Sequence, residues 1–417
     1  MRAPHDNEIC AGSAKPFERR QTAPGSAAAI HLNHASASLA DQSVFDAQRR
    51  YLDAEARYGP HRAVEQLSNE LDELPAALGA LLGAHPEQIA LTESASRGWA
   101  LALSALHPAR RLQVFVGEHE WGGNLCSVLA TPRASLTVLR RAPGETWRCV
   151  VREALDRRER DAVPVVSLPL IGCASGALNA LSGVATAVRD AGGWLFVDAS
   201  QAVGQVHVDA NALGADVLVF PMRKWLRGPR GIAVLCLSMR ALAQFETPAL
   251  IDVFGSCAEP TAHRGLNDHG MALKLDAGAR RFQLYEHNPG LRLGALAAVR
   301  VAQRTGIDTI HAHTCALSAK LHERLQRIAG VSWIDRPDTG LLGVVFDNRL
   351  CRDIAHRLWT QGINVASIGR RYSPLSPHGD RLGDVLRLSA HIVTEPREID
   401  VAVDALERIV TSPLAAT

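Results

Sequence analysis

Lysine is the scarcest charged residue of this 417-residue chain. Arginine and lysine together number 45, but only four of these cations are lysine: Lys15, Lys224, Lys274 and Lys320. Any reaction that needs a primary amine therefore has four candidate residues. The 43 acidic residues leave a net charge of +2, and no basic run is interleaved with aromatic residues. Because such a chain has no long-range field that attracts nucleic acid, we do not expect a nucleic-acid partner.

Several motifs that identify common kinds of site are also missing. The eight cysteines form no C-x-x-C pair and no H-E-x-x-H occurs, so neither a disulfide framework nor a metal site is predicted. The absence of G-x-G-x-x-G and G-x-x-x-x-G-K excludes the standard cradles for a dinucleotide or a triphosphate. No segment approaches the roughly 18 apolar residues of a membrane helix. The first thirty residues also contain no apolar run of signal-peptide length. We therefore expect a cytoplasmic protein with no membrane partner.

Hydrophobic patterning divides the chain into three parts. Residues 1–30 are interpreted as a flexible N-terminal tail, and residues 31–290 as a large α/β domain with an N-terminal arm. Short β-rich apolar runs separated by helical patterns predict a mostly parallel sheet in the large domain. Residues 291–417 predict a smaller C-terminal α+β domain. In the large domain, two helices are predicted within 41–82, and strands at 88–92, 113–116, 135–139, 163–167, 194–197, 216–220 and 232–235. In the small domain, helices are predicted at 308–329, 351–361 and 396–410, and strands at 343–346 and 385–388.

Two predicted strands of the large domain end at residues of opposite charge. Asp198 closes one buried run, and Lys224 follows another. Because ligands bind at the carboxyl ends of strands in open α/β sheets, both side chains should project into one crevice. Pyridoxal 5'-phosphate (PLP) needs a lysine for its Schiff base and a carboxylate that keeps its pyridine nitrogen protonated. The pair therefore predicts a PLP site with Lys224 and Asp198 as its catalytic residues.

The segment around these two residues resembles the class V aminotransferase family of fold-type-I PLP enzymes. That family includes cysteine desulfurases, isopenicillin N epimerase-like proteins and hercynylcysteine sulfoxide lyases. The likeness is specific over 196–231, which begins FVDASQAVGQ and ends RKWLRGPRG, and looser over the rest of 31–410. It implies the fold-type-I PLP-dependent transferase architecture, an amino-acid substrate and a homodimer.

The resemblance also assigns residues to the phosphate and the ring of the cofactor. The stretch 92–99 follows a strand and opens a helix, like the phosphate-binding turn of the family, with Ala95 and Ser96 as donors. Arg223 is expected to reach the same phosphate, at a position where many relatives carry histidine. In the loop 118–124, Trp121 is expected to stack on the pyridine ring, with His119 as the alternative.

Two further residues are implied at the phenolic oxygen of the cofactor. Gln201 stands where relatives use a residue that hydrogen-bonds this oxygen. Cys173 stands where relatives often carry asparagine or serine. The alternative interpretation is that Cys173 is a small buried residue that only fills space. Pro221 replaces a serine that the family often places near the phosphate, which leaves more of that contact to Arg223.

The substrate is expected to bind through a different part of the sequence. Arg387, in the run VLRLSAH at 385–391, resembles the arginine of the family that binds the substrate carboxylate, and a guanidinium can do so with two parallel hydrogen bonds. Asn33, His34 and Ala35 resemble the stretch that closes over the substrate. The segment 280–286 resembles one near the dimer interface of relatives. Three residues there are expected to approach a neighbouring subunit's cofactor: Tyr285, Glu286 and Asn288.

The absence of a cysteine at one position reduces the number of possible reactions. Persulfide-forming desulfurases require a thiolate on a mobile loop ahead of the carboxylate-binding arginine, and residues 366–378 contain no cysteine. Sulfur transfer through an enzyme persulfide is therefore not expected. The motifs at 118–124, 223–231 and 386–391 are most similar to hercynylcysteine sulfoxide lyases, so the preferred hypothesis is a C–S β-lyase acting on an S-substituted cysteine or its sulfoxide. A class V aminotransferase and an amino-acid epimerase remain the alternatives, whereas Lys224 and Asp198 argue against a non-enzymatic PLP-fold regulator.

Overall fold

The computed structural model describes residues 23–24, 29–106, 110–260, 270–335, 338–347, 349–376 and 384–412. Most of the predicted tail, with Lys15, lies outside these ranges. The strands are β1 Ile30–His31, β2 Ile89–Thr92, β3 Arg111–Gly117, β4 Ala134–Leu139, β5 Ala162–Pro169, β6 Trp194–Asp198, β7 Val217–Pro221, β8 Ala233–Leu237, β9 Ser256–Pro260, β10 Met271–Leu275, β11 Val331–Trp333, β12 Leu341–Phe346, β13 Ile363–Asn364, β14 Ala366–Gly369 and β15 Asp384–Ser389. The α-helices are α1 Gln42–Tyr58, α2 Pro60–Gln66, α3 Ser68–Leu82, α4 Ala95–Ser104, α5 Gly122–Leu129, α6 Trp147–Asp156, α7 Val184–Asp190, α8 Ala210–Leu213, α9 Met239–Gln244, α10 Pro289–Thr305, α11 Ile307–Leu325, α12 Cys351–Trp359 and α13 Pro396–Thr411.

A seven-stranded sheet in the order β2-β8-β7-β6-β5-β3-β4 forms the centre of the fold. Strands β3 to β7 are parallel to their neighbours within this group, whereas β8 runs antiparallel to both β7 and β2. Every residue of β5 and β6 is buried, which explains why both strands are mostly apolar without polar alternation, with Ser167 and the final Asp198 as their polar residues. The prediction of an α/β fold with a mostly parallel sheet is confirmed.

Separate apolar cores cover the two faces of this sheet. Successive residues of a strand point to opposite faces. Accordingly, Leu195 of β6 belongs to the core that α3 and α10 cover, whereas Phe196 belongs to the core that α4 covers. The two predicted helices within 41–82 are three in the structure, because Gly59 ends α1 with φ 80° and Pro60 begins α2.

The C-terminal part contains a four-stranded antiparallel sheet in the order β11-β12-β15-β14. Helices α11, α12 and α13 contribute Leu321, Leu358 and Leu406 to its core, as does Leu32 from the start of the described chain. In contrast, α10 places Leu296 in the core of the large sheet. This packing favours a domain boundary near Gly306 instead of at residue 290, and it connects the N-terminal arm to the small domain.

The hairpin of β9 and β10 has no counterpart in the sequence prediction. Its strands pair in antiparallel register and are mostly exposed, so no buried face gives them an apolar pattern. Lys274 lies on β10 and forms an ion pair with Glu259 at 3.1 Å.

Candidate active site

A cavity of about 270 Å³ lies where β5, β6 and β7 end, next to the N-terminus of α4. This is the edge of an open α/β sheet at which ligands bind. All eight residues predicted to bind the cofactor line the cavity: Ala95, Ser96, Trp121, Cys173, Asp198, Gln201, Arg223 and Lys224. His119, the alternative stacking residue, and Pro221 line it as well.

Lys224 lies in a tight turn that follows β7. Within the described ranges, Arg227 in this turn is the one non-glycine residue with positive φ, at 59°. The Arg227 N–H donates to the Lys224 carbonyl at 3.0 Å, and the Gly228 N–H donates to the Met222 carbonyl at 2.8 Å. Such sparsely populated backbone conformations cluster at functional sites. The turn therefore fixes the position from which the Lys224 side chain enters the cavity.

The small domain holds the same turn from the other side. The His391 Nε2–H donates to the Trp225 carbonyl at 2.9 Å, while its Nδ1 accepts the Ile392 N–H at 2.7 Å. The imidazole also stacks on the Trp225 indole, with ring centroids 5.5 Å apart. Burial lowers the pKa of His391 to about 3, so the ring is neutral as this hydrogen-bond pattern requires. The histidine of the VLRLSAH run thus anchors the lysine turn.

The amine of Lys224 is buried and electrostatically prepared for nucleophilic chemistry. Burial lowers the pKa of Lys224 to about 8; the positive charges of Arg223 and Arg387 add to the fall, and the Asp198 carboxylate opposes it. Its Nζ lies 5.9 Å from the centroid of the Trp121 ring, and it has no hydrogen bond to a described residue. A lysine whose pKa approaches neutrality supplies a larger fraction of the nucleophilic neutral amine.

Asp198 is held by two hydrogen bonds at the end of β6. Its Oδ1 accepts the Ser200 backbone N–H at 2.8 Å, and its Oδ2 accepts Nδ2 of Asn124 at 3.2 Å. A role for Asn124 was not predicted from the sequence, although the residue belongs to the loop 118–124. Its contact with Asp198 joins positions that are 74 residues apart, so no local pattern reveals it.

The other end of the cavity collects groups that suit a phosphate. The N-terminus of α4 opens there, with its cap residue Ser94 accepting the Arg97 N–H at 3.2 Å. Helix N-termini bind anions through their free N–H groups and the helix dipole. Arg223 and Arg230 also line the cavity, and neither forms an ion pair with a described residue. Arg230 was not singled out from the sequence.

Trp121 is placed by contacts at both its edge and its face. Its Nε1–H donates to Ser96 Oγ at 3.1 Å, and its ring stacks on Tyr372 with centroids 5.5 Å apart and planes inclined by 16°. His119 is mostly buried, with Nε2 3.8 Å from an Asp335 carboxylate oxygen. Because both side chains line the cavity, the choice of Trp121 as the stacking residue stays a prediction.

Gln201 and Cys173 are both tied into the protein. The Gln201 side chain accepts from Trp225 Nε1 at 2.8 Å and donates to the Ala35 carbonyl at 3.1 Å, which leaves one of its N–H groups for a ligand. The Cys173 thiol donates to the Tyr372 carbonyl at 3.7 Å. Burial raises the pKa of this thiol, so its thiolate is disfavoured.

Arg387 is buried directly behind the cavity wall and does not line it. Its Nη1 donates to the Cys173 carbonyl at 2.7 Å and its Nη2 to Ser36 Oγ at 2.5 Å. Its Nε has no hydrogen-bond partner among the residues that the structure describes. A substrate carboxylate would therefore reach this guanidinium by replacing one or both of these acceptors.

The predicted substrate residues Asn33, His34 and Ala35 do not line the cavity either. His34 is fully buried, with its ring 5.2 Å from that of His391. Asn33 Nδ2 donates to the Asn364 side chain at 3.3 Å, and the Ala35 N–H donates to Ser389 Oγ at 2.9 Å. These residues fix the N-terminal arm to the small domain and reach the cavity only through the Ala35–Gln201 hydrogen bond.

The residues expected near a neighbouring subunit lie beside the same cavity. Glu286 and Asn288 line a second cavity of about 70 Å³, which shares Gly231 and Ile232 with the first. Tyr285 is half exposed. No partner chain is present, so their contribution to a second subunit stays a prediction.

The donor set of the main cavity fits PLP. A buried amine of lowered pKa, a carboxylate held by N–H donors, and a helix N-terminus beside two unpaired arginines match the aldehyde, ring nitrogen and phosphate of this cofactor.

Among the described residues no cluster of histidine, cysteine or carboxylate side chains could hold a metal ion. The helices of the described ranges also include none that is long and apolar enough to cross a membrane.

Comparisons with known proteins identify the family of this chain. The sequence model of the family "Aminotransferase class-V" matches residues 30–401. A protein of Methanothermobacter thermautotrophicus named "Probable cysteine desulfurase" is 24% identical over 392 residues, which cover 91% of this chain and 94% of the relative. A Mycobacterium tuberculosis protein named "Probable hercynylcysteine sulfoxide lyase" is 29% identical over 220 residues, 53% of this chain and 54% of that one.

A solved structure also has this fold. The structure of a lysine-to-alanine variant of C-DES, with glycine linked covalently to its PLP cofactor, superposes with a TM-score of 0.81. The two sequences are 20% identical, and the match covers 93% of this chain and 98% of that one. The family match spans most of the chain and the cavity carries the matching donor set, so this chain belongs to the class V aminotransferase family and is a PLP-dependent enzyme of fold type I.

Proposed function

We propose that this enzyme is a C–S β-lyase that acts on an S-substituted cysteine or its sulfoxide, as the name of the M. tuberculosis relative indicates for that protein. One observation carries the proposal: the site lacks a thiol suited to accept sulfur. The sequence contains no cysteine after Cys351, and hence none in the loop ahead of Arg387. Cys173 is the cysteine that lines the cavity, and its thiol is buried with a raised pKa.

The cofactor would be held by the groups that line the cavity. Asp198 would keep the ring nitrogen protonated, and Arg223 with the N-terminus of α4 would bind the phosphate. When bound, PLP supplies an electron sink for the pair left on the substrate Cα after deprotonation. Lys224 Nζ takes this proton, a role for which a pKa of about 8 suits it near neutral pH.

Arg387 would orient the substrate. Its unpartnered Nε, together with Nη2 released from Ser36, would form a bidentate contact with the α-carboxylate. The C–S bond then breaks with its electron pair on sulfur, which leaves as a thiolate or, from a sulfoxide, as a sulfenate. Hydrolysis of the remaining three-carbon unit gives pyruvate and ammonia.

A product assay tests this proposal. Purified enzyme with saturating PLP is incubated with S-alkyl cysteines, their sulfoxides and free cysteine, and pyruvate, ammonia and alanine are quantified. We expect equal amounts of pyruvate and ammonia from the S-substituted substrates. Alanine as the product would replace the lyase by a desulfurase. An amino acid formed from an added 2-oxo acid would indicate a transaminase, and racemised substrate without either product an epimerase.

A further inference from the structure

A second buried carboxylate lies behind the active-site cavity. Glu120 stands between His119 and Trp121, both of which line the cavity, yet its own side chain is fully buried and does not line it. Neither the proposed chemistry nor the sequence motifs give this acid a role. Carboxylates are almost never fully buried unless they are paired or hydrogen-bonded, so its surroundings require an explanation.

Three donors surround the Glu120 carboxylate. Ser167 Oγ donates to its Oε2 at 2.7 Å, and Asn124 Nδ2 and the Trp121 backbone N–H donate to its Oε1 at 2.8 and 3.0 Å. The Ser167 hydroxyl in turn accepts the indole N–H of Trp99 at 3.3 Å, so its own hydrogen is free to point at Glu120. The site is therefore built to receive a carboxylate.

Asn124 connects this carboxylate to the catalytic one. Its Nδ2 donates one hydrogen to Glu120 and the other to Asp198 Oδ2 at 3.2 Å. The orientation of the amide is determined by its neighbours, because a flipped amide would place its oxygen against two carboxylates. Glu120, Asn124 and Asp198 thus form a continuous hydrogen-bonded chain that ends at the cavity.

Glu120 also responds to the charge of Asp198. Burial, and then the negative charge of Asp198, raises the pKa of Glu120 to about 7, although its three hydrogen bonds act in the opposite direction. Among the described residues, Asp198 is the charged group that acts on the pKa of Glu120, whereas the pKa of Lys224 is influenced by Asp198, Arg223 and Arg387.

We propose that Glu120 is a positioning residue, which orients Asp198 through Asn124 and whose charge adds to that of Asp198 in holding the proton on the ring nitrogen of the cofactor. This inference rests on the role proposed above for Asp198. When Glu120 is ionised, two linked negative charges stabilise the pyridinium. When Glu120 is protonated, Asp198 alone does so.

The first test uses the apoprotein and measures Tm by circular dichroism from pH 5 to 9. Glu120 is protonated in the folded state up to a higher pH than in the unfolded chain, so the stability it contributes is present at pH 5 and is lost as pH rises through 7. Glu120→Gln cannot ionise. We expect its Tm relative to wild type to rise by about 2–5 °C between pH 5 and pH 8. Glu153→Gln, an exposed change on α6, should show no such trend.

The second test follows the visible absorbance of the PLP-loaded enzyme against pH, without substrate. We expect the wild type to show a spectral inflection near pH 7 that Glu120→Gln lacks. Ser167→Ala keeps the acid but removes one donor to its charged form, so the inflection should move upward by about one pH unit. If Glu120→Gln does not fold, the pH titration of Ser167→Ala provides the test.

The outcomes separate the possible failures. Coincident wild-type and Glu120→Gln absorbance titrations would overturn the proposal even if the apoprotein melting curves differ, because Glu120 would then be structural only. If the Tm values of wild type and Glu120→Gln changed with pH in parallel, the proposed coupling of Glu120 to Asp198 would be overturned. Neither measurement uses a substrate, so failure of the lyase assignment would leave both results unchanged.

Discussion

The two sides of the active site differ in how their groups are held. On the cofactor side, Lys224 and Arg223 follow one strand of the central sheet, and neither side chain has an ion pair or hydrogen bond to a described residue. On the substrate side, Arg387 comes from the small domain and already donates to Cys173 and Ser36. The two cations predicted to serve the cofactor thus have no partner among the described residues, whereas the arginine predicted to bind the substrate is already hydrogen-bonded.

This difference has a physical origin. Adjacent strands of a sheet are linked by backbone hydrogen bonds, so the residues at their ends are preorganised relative to one another. Arg387 and the 33–35 segment belong instead to the packing of the other domain. They reach the cavity only indirectly, through hydrogen bonds to residues that line it: Arg387 to Cys173, and Ala35 to Gln201. We infer that the cofactor binds to a preformed site, and that the substrate carboxylate binds by exchange of existing hydrogen bonds.

The largest expected effect comes from the cofactor side. Lys224→Ala removes the amine that moves the substrate proton, so kcat should fall by at least about 10³-fold. The visible absorbance of added PLP should also lose its protein-bound band. Lys320→Ala is the matched control, because this lysine forms a surface ion pair with Asp400 and should leave both properties unchanged. A wild type that stays colourless after PLP addition would contradict the site.

A substitution on the substrate side should weaken substrate binding and leave cofactor binding unchanged. Arg387→Lys keeps the charge but removes the planar fork, so we expect KM for the amino acid to rise by about 10- to 100-fold. The absorbance of bound PLP should remain that of the wild type. An unchanged KM would show that the substrate carboxylate binds elsewhere, and a lost PLP spectrum would show that the two sides are not independent.

The smallest expected effect concerns the phosphate. Arg223→Gln removes one charge-assisted contact, which predicts a PLP Kd that is weaker by about 10-fold. At saturating PLP, the KM for the amino acid should match that of the wild type. Arg97→Gln serves as the control, since Arg97 lies exposed on α4 and does not line the cavity. Fluorescence quenching by added PLP measures the affinity of both variants.

Local patterns predicted the strands of the central sheet because most of them are short apolar runs buried on both faces. The same reasoning missed the β9–β10 hairpin, whose exposed strands have no such pattern. Lys224 and Asp198 could be predicted as site residues because the end of a buried strand can be recognised in a sequence. Glu120 could not, since its surroundings come from β5, β6 and α5, and a glutamate in a polar loop has the pattern of a surface residue.

The sequence alone therefore indicated the class of fold and the cofactor, and it predicted which of the four lysines carries the amine chemistry. These follow from local patterns, because a buried run and the residue at its end are neighbours in the chain. Tertiary structure decided that Arg387 is held behind Cys173, that the 33–35 segment serves the small domain, and that a second carboxylate stands behind Asp198. Each depends on contacts between segments that are distant in the chain, so burial and charge are set there only by tertiary packing.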